Sequence, residues 1–189
     1  MSKNQQQIID AVQAWVNTVV VDLNLCPFAQ AEVRRKSIRY KVSNAASNEQ
    51  LLQDLVIELA LLKKEPTIET TLLIHPDRLT DFDEYLEFLE FANMLISNMG
   101  FEGEYQIASF HPDYCFAESN ADDAANYTNR APYPILHILR EASVEKAIAK
   151  HGNVDSIPDN NIARLKQLGA EHMAALLASC LQHGDNTNE

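Results

Sequence analysis

Glycine is scarce in this chain, with five residues in 189 and neither a GxGxxG nor a GxxxxGK pattern. Those patterns let backbone N–H groups approach a pyrophosphate, so a nucleotide cofactor is disfavoured. Cysteine is scarce too: Cys26, Cys115 and Cys180 are odd in number and show no CxxC spacing, which argues against a disulfide framework. Basic residues are in deficit, 15 Lys plus Arg against 27 Asp plus Glu, for a formal net charge of -12. That balance opposes sequence-independent attraction to phosphate backbones or anionic bilayers, so neither nucleic acid nor a membrane is expected as a partner. No apolar run approaches the ~20 residues that span a bilayer. The polar start Met1–Gln7 does not have the basic-then-apolar pattern of a signal peptide. The expectation is a soluble, cytoplasmic protein, in which Asn126-Tyr127-Thr128 is only a formal glycosylation match.

What is present is material for a core. A hydrophobic fraction of 46% over 189 residues suits one domain, read as residues 1–182 with a polar tail at 183–189. Ile8, Val12, Trp15, Val16 and Val19 recur at helical spacing up to about Leu23, where Asn24-Leu25-Cys26-Pro27 breaks the pattern. Ser37–Val42 alternates in the manner of an edge strand. Ser47 and Gln50 form a capping-box pattern ahead of a helix carrying Leu51, Leu55, Leu59 and Leu62. Thr70–His75 is apolar on both faces, as a central strand would be. Asp81, Asp83 and Glu84 suit the start of the next helix, which Gly100 ends.

Tyr105–His111 is the next strand, and Pro112–Pro134 is a long segment without a period. Ile135–Arg140 fits helix or strand, and a fresh N-cap at Ser143 favours strand. A helix from Ser143 to a stop at Gly152 follows, then a last helix capped by Asp159 or Asn160 and running through Leu181. The pattern is that of an α/β fold: a small three- or four-stranded, largely parallel sheet with helices packed over it, plus a C-terminal helix.

Two strand-like runs close on the same dipeptide, at His75-Pro76 and His111-Pro112, with a helical stretch between them. If the β-helix-β segment is a parallel crossover, both imidazoles lie at the C-terminal edge of one sheet, where open α/β folds hold ligands. Imidazole titrates near neutrality and also ligates divalent metals, so His75, His111 and strand residue His137 are candidates for acid-base chemistry or metal ligation. The His75-to-His111 spacing matches no compact ligand motif. Cys26, Asp77, Asp113 or Cys115 can complete a metal site only if the fold delivers them. Each histidine is equally readable as a hydrogen-bonded strand-end residue.

Two further constellations stand beside the histidines. Asn126-Tyr127-Thr128-Asn129-Arg130 supplies amide, hydroxyl and guanidinium donors suited to a carboxylate or phosphate, with Arg130 the preferred anion anchor and Asn126 and Asn129 as supports. Arg140 is a second anchor, with pairing to Glu141 or Glu145 as its alternative. Cys26, close to Arg34-Arg35-Lys36, is a candidate thiolate nucleophile, or it fills the core as a small hydrophobe. The acidic run from Asp77 to Glu90 reads as a solvated helix face.

The segments Asn24-Leu25-Cys26-Pro27-Phe28-Ala29, Leu72-Leu73-Ile74-His75-Pro76, Tyr105–Pro112, Asn126–Arg130 and Pro132–Glu141 resemble a bacterial family of uncharacterised proteins, number 1415 among the domains of unknown function. The resemblance spans most of the chain from Asn24 to Ser143 and implies no established activity, substrate or catalytic residue. Serine is common at the position of Ala131 in similar sequences, which implies that a hydroxyl there is dispensable. The residues point to an enzyme acting on a small anionic molecule, with His75, His111 and Cys26 as reacting groups and Asn126, Asn129, Arg130, Arg140 and His137 as ligand contacts. A non-catalytic ligand-binding or protein-interaction protein is the alternative.

Overall fold

A computed structural model of the chain describes residues 4–151 and 156–186. The expected helix stop at Gly152 and the end of the polar tail lie outside the described residues. The chain divides into two compact units, one of residues 1–30, 111–132 and 153–189, the other of residues 31–110 and 133–152.

The second unit contains the sheet. Its strands are β1 (Ile38–Val42), β2 (Thr70–Ile74), β3 (Tyr105–Phe110) and β4 (Ile135–Arg140), in the order β1-β2-β4-β3. Only β1 and β2 pair in parallel; β4 runs antiparallel to both β2 and β3. The sheet is therefore mixed, and the expected largely parallel arrangement is corrected. The physical reason is the segment between β3 and β4, which leaves and re-enters at the same sheet edge. A strand entered that way runs opposite to the one just left. The ambiguous run Ile135–Arg140 is indeed a strand, and it is inserted between the two runs that close on His-Pro.

Helix α3 (Asn48–Lys64) and helix α4 (Phe82–Asn98) cover one face of this sheet. Ser47 caps α3 by accepting from the Gln50 N–H, and Asp81 caps α4 by accepting from Asp83 and Glu84. Leu51, Leu55, Leu59 and Leu62 from α3 and Tyr85, Phe88, Ala92 and Ile96 from α4 recur at helical spacing. They close over Leu73, Leu136 and Ile138 of the sheet. Each fully buried leucine contributes ~2 kcal/mol relative to exposure. An inward-facing ion pair joins the same layers: Arg39 donates to Glu58, which is 1% exposed, through Nε at 2.7 Å and Nη2 at 3.0 Å. Helix α5 (Glu141–His151) begins directly after β4, two residues ahead of the expected Ser143 cap.

The first unit is helical. Helix α1 (Gln5–Trp15) continues into a π-helical stretch, Val16–Val21, followed by a turn in which Asn24 has φ 53°. The short helix α2 (Ala29–Arg35) contains the point, after residue 30, at which the chain passes from this unit to the other. Helices α6 (Ile157–Leu168) and α7 (Ala170–Asn186) replace the single last helix expected from the period, broken at Gly169 with φ 84°. Helix α7 also runs past the expected boundary of the tail. It packs closely on α1: a Cβ at Gly184 would stand 2.2 Å from the Gln7 carbonyl oxygen, so that contact requires glycine. Among the described residues, no helix is long and apolar enough to cross a membrane.

Candidate functional site

The C-terminal ends of β2 and β3 lie at one edge of the sheet. Ile74 and Phe110 both pair with Ile135 of the strand between them, which sets these two strand ends about 10 Å apart. His75 follows the first of them and belongs to the second unit. His111 follows the other and opens the long segment of the first unit.

His75 is 1% exposed. Its main-chain N–H donates to the Pro134 carbonyl at 3.1 Å, which continues the β2–β4 ladder by one residue. Its Nδ1 lies 2.9 Å from the Arg78 carbonyl oxygen, and the Arg78 N–H donates back to the His75 carbonyl at 3.1 Å. A carbonyl only accepts, so the ring proton is on Nδ1 and, in the neutral ring, Nε2 carries the lone pair. The ring stacks on Tyr85 with centroids 5.9 Å apart. Tyr85 in turn donates to the Ile135 carbonyl and accepts from the Phe110 N–H, tying α4 to β3 and β4.

Arg78 in the same turn had no place among the sequence candidates. Its Nη2 donates to Asn48 Oδ1, at the start of α3, at 2.6 Å, while its Nε is buried without a hydrogen-bond partner. Among the described residues no carboxylate forms an ion pair with it. Glu49, in the first turn of α3, is held below the usual carboxylate range, chiefly by the Ser47 side chain and its own N–H, with the Arg78 charge a smaller influence. Leu79 closes the turn with φ 53°, a conformation that a leucine rarely adopts, and its 2% exposed side chain is anchored in the core. The signal available in the sequence was a basic residue three positions past a strand-ending histidine.

The long segment of the first unit uses its polar residues on itself. His111 is fully buried, and its Nδ1 accepts from the Asp113 N–H at 3.0 Å, so in the neutral ring the proton is on Nε2. The His111 N–H donates to the Asn129 carbonyl at 3.1 Å. Asn126, also fully buried, accepts from the Phe116 N–H and donates to the Asn120 carbonyl. Arg130 donates to the carbonyls of Tyr114 at 3.0 Å and Ala121 at 2.8 Å and lies over the Tyr127 ring at 4.8 Å. His111, Asn126, Asn129 and Arg130 are thus brought together by main-chain hydrogen bonds. Cys26 lies elsewhere in the same unit, in a turn whose Leu25 carbonyl accepts from Asn161 of α6. Cys26, Cys115 and Cys180 are all free thiols.

The two other candidates belong to the sheet. Arg140 extends over the C-terminal end of α3, where it donates to the carbonyls of Leu62, Glu65 and Ile68 and to the Tyr105 hydroxyl. Neither Glu141 nor Glu145 forms an ion pair with it. His137 hydrogen-bonds Thr70 through Nε2 at 2.8 Å. Part of the residue meets solvent, yet the imidazole is enclosed enough that burial pulls its pKa down to about 4. Among the described residues no group of three or more His, Cys, Asp or Glu side chains could hold a metal ion.

A family profile described as protein of unknown function (DUF1415) matches residues 7–175, well over half of the chain. The chain belongs to this family. No match was found among curated proteins or solved structures.

Proposed function

We propose that this DUF1415 protein is an enzyme acting on a small anionic molecule at the end of β2, with His75 as the proton-transfer group and Arg78 as the anion anchor. The observation that carries this reading is the turn from His75 to Arg78. Reciprocal hydrogen bonds between the two residues orient the imidazole by its Nδ1–H, which makes Nε2 its basic nitrogen. The same turn holds a guanidinium that lacks a carboxylate partner among the described residues and whose buried Nε has no acceptor. An oxyanion satisfies that donor, and a guanidinium binds carboxylate or phosphate in a fixed orientation. The left-handed backbone at Leu79 is strain of the kind that persists where tertiary packing imposes it. The reading requires residues of one unit only, with His111 and Cys26 as separate candidates in the other.

Thermal unfolding of the full chain with inorganic phosphate and a panel of small carboxylates tests the anchor, since a ligand that binds only the native state raises Tm. At least one anion should raise Tm, and Arg78→Ala should remove the rise. His75→Gln should keep the rise and abolish conversion of that anion. No stabilisation by any anion, or an undiminished rise in Arg78→Ala, sinks the reading. Stabilisation without conversion of any bound anion favours the non-catalytic ligand-binding alternative. Loss of conversion in His111→Gln or Cys26→Ala adds that residue to the chemistry.

A further inference from the structure

The helical layer over the sheet carries an apolar surface that the core does not use. Ile57 of α3 and Phe91 and Met94 of α4 are 59%, 56% and 52% exposed, the highest values for large hydrophobic residues among those described. All three belong to one layer. Strands β1 and β2 are parallel, so α3 and α4, which follow them in the chain, begin at the same edge of the sheet and share one core. Ile57 and Phe91 each stand about 14 Å along their own helix. Met94 is three residues beyond Phe91, the spacing of neighbours on a helix surface. Isolated exposed hydrophobics need no explanation, whereas three at one level of one layer form a patch. Neither helix can turn this patch inward, because Leu55 and Leu59 of α3 and Phe88 and Ala92 of α4 already face the sheet.

The charge beside the patch has one sign. Asp83, Glu84, Glu87 and Glu90 of α4 are all exposed, and α4 contains no lysine, arginine or histidine. The lysines of the layer, Lys63 and Lys64, lie in the last turn of α3, and Lys63 pairs with Glu104 at 3.8 Å. A second copy of the chain would bring the same four carboxylates and a further formal charge of -12 to the contact, with no cation in its own α4 to set against them. Complementarity therefore calls for a cationic partner with an apolar stripe.

We propose that the outer surface of α3 and α4 docks a basic amphipathic helix of another protein. Its apolar stripe covers Ile57, Phe91 and Met94, and its lysines or arginines face the carboxylates of α4. Two helices side by side offer ridges and a groove to a third, and the unbranched Met94 adapts to the side chains laid against it. This surface is separate from the turn at His75 and Arg78, which lies at the edge of the sheet where α3 and α4 begin.

The full chain, titrated with a labelled synthetic helix of about 18 leucines and lysines in amphipathic order, tests this by fluorescence anisotropy. A counterpart with glutamate in place of lysine is the control. The lysine peptide should bind saturably and the glutamate peptide should not. Phe91→Ser with Met94→Ser should weaken binding at least about tenfold, and so should Glu87→Gln with Glu90→Gln at low salt. Phe116→Ser, at an exposed aromatic of the other unit, should change nothing. Hydrogen exchange of the unaltered chain should slow in α3 and α4 when the lysine peptide is bound, a readout that no substitution can confound. No binding of the lysine peptide, equal binding of the glutamate peptide, undiminished binding in Phe91→Ser with Met94→Ser, or slowed exchange only in other elements overturns the proposal. A dimer of the full chain that this double variant dissociates overturns it too, by assigning the surface to a second copy.

Discussion

Arg78 and Arg130 both lie in irregular segments that follow a strand closing on His-Pro, and they are used differently. Arg130 spends its donors on the carbonyls of Tyr114 and Ala121 and its flat face on Tyr127. It holds together a segment that has little regular secondary structure to satisfy its backbone. Arg78 sits in a turn already closed by main-chain bonds, and its guanidinium retains unused donor capacity. A polar, proline-stiffened composition signals that side chains are needed, and it does not say whether the backbone or a ligand consumes them.

The comparison can be broken by substitution, and the largest effect should come from a third arginine. Arg140→Ala strips several carbonyls at the end of α3 of their donor, and urea unfolding should show a loss of about 3–4 kcal/mol. Next is the imidazole that folding holds neutral. His137 titrates at about 4 in the folded chain against a reference value of 6.5, so below 6.5 the unfolded state binds the additional proton. The stability linked to this group is complete above that pH and is lost as pH falls towards 4, by about 3 kcal/mol in total. His137→Phe should flatten that part of the stability-versus-pH curve, measured by denaturant midpoints at successive pH values.

Arg130→Ala should follow at about 2 kcal/mol, with faster amide exchange across 112–130, because two main-chain carbonyls lose their donor. Arg78→Ala should cost the least, within about 0.5–1 kcal/mol, since the bond it loses goes to an exposed asparagine at the start of α3. An Arg78 loss as large as that of Arg130 would erase the distinction between scaffold and anchor.

Much of the fold was legible because periodicity reports burial. Leu51, Leu55, Leu59 and Leu62, or the run Thr70–Ile74, state which side of an element is covered without reference to anything distant. Caps were legible for the same reason, since Ser47 and Asp81 act within three residues of themselves. Strand direction was not legible. The apolar run Ile135–Leu139 reads the same in either orientation, and only the return of the chain at the edge it had left makes β4 antiparallel. Of the proposed site, the sequence offered the position of His75 and not its partners, because Arg78 differs from Arg130 only in what surrounds it.

The sequence by itself determined most of the helical and extended segments and the caps at Ser47 and Asp81, all set by contacts between near neighbours or by hydrophobic period. The tertiary structure alone decided that β4 stands between the two strands closing on His-Pro and that Arg130 and Arg140 serve the backbone. It also decided that Thr70 hydrogen-bonds His137. Each of these depends on groups far apart in the chain, and pairing at that range is selected by the packing of whole elements.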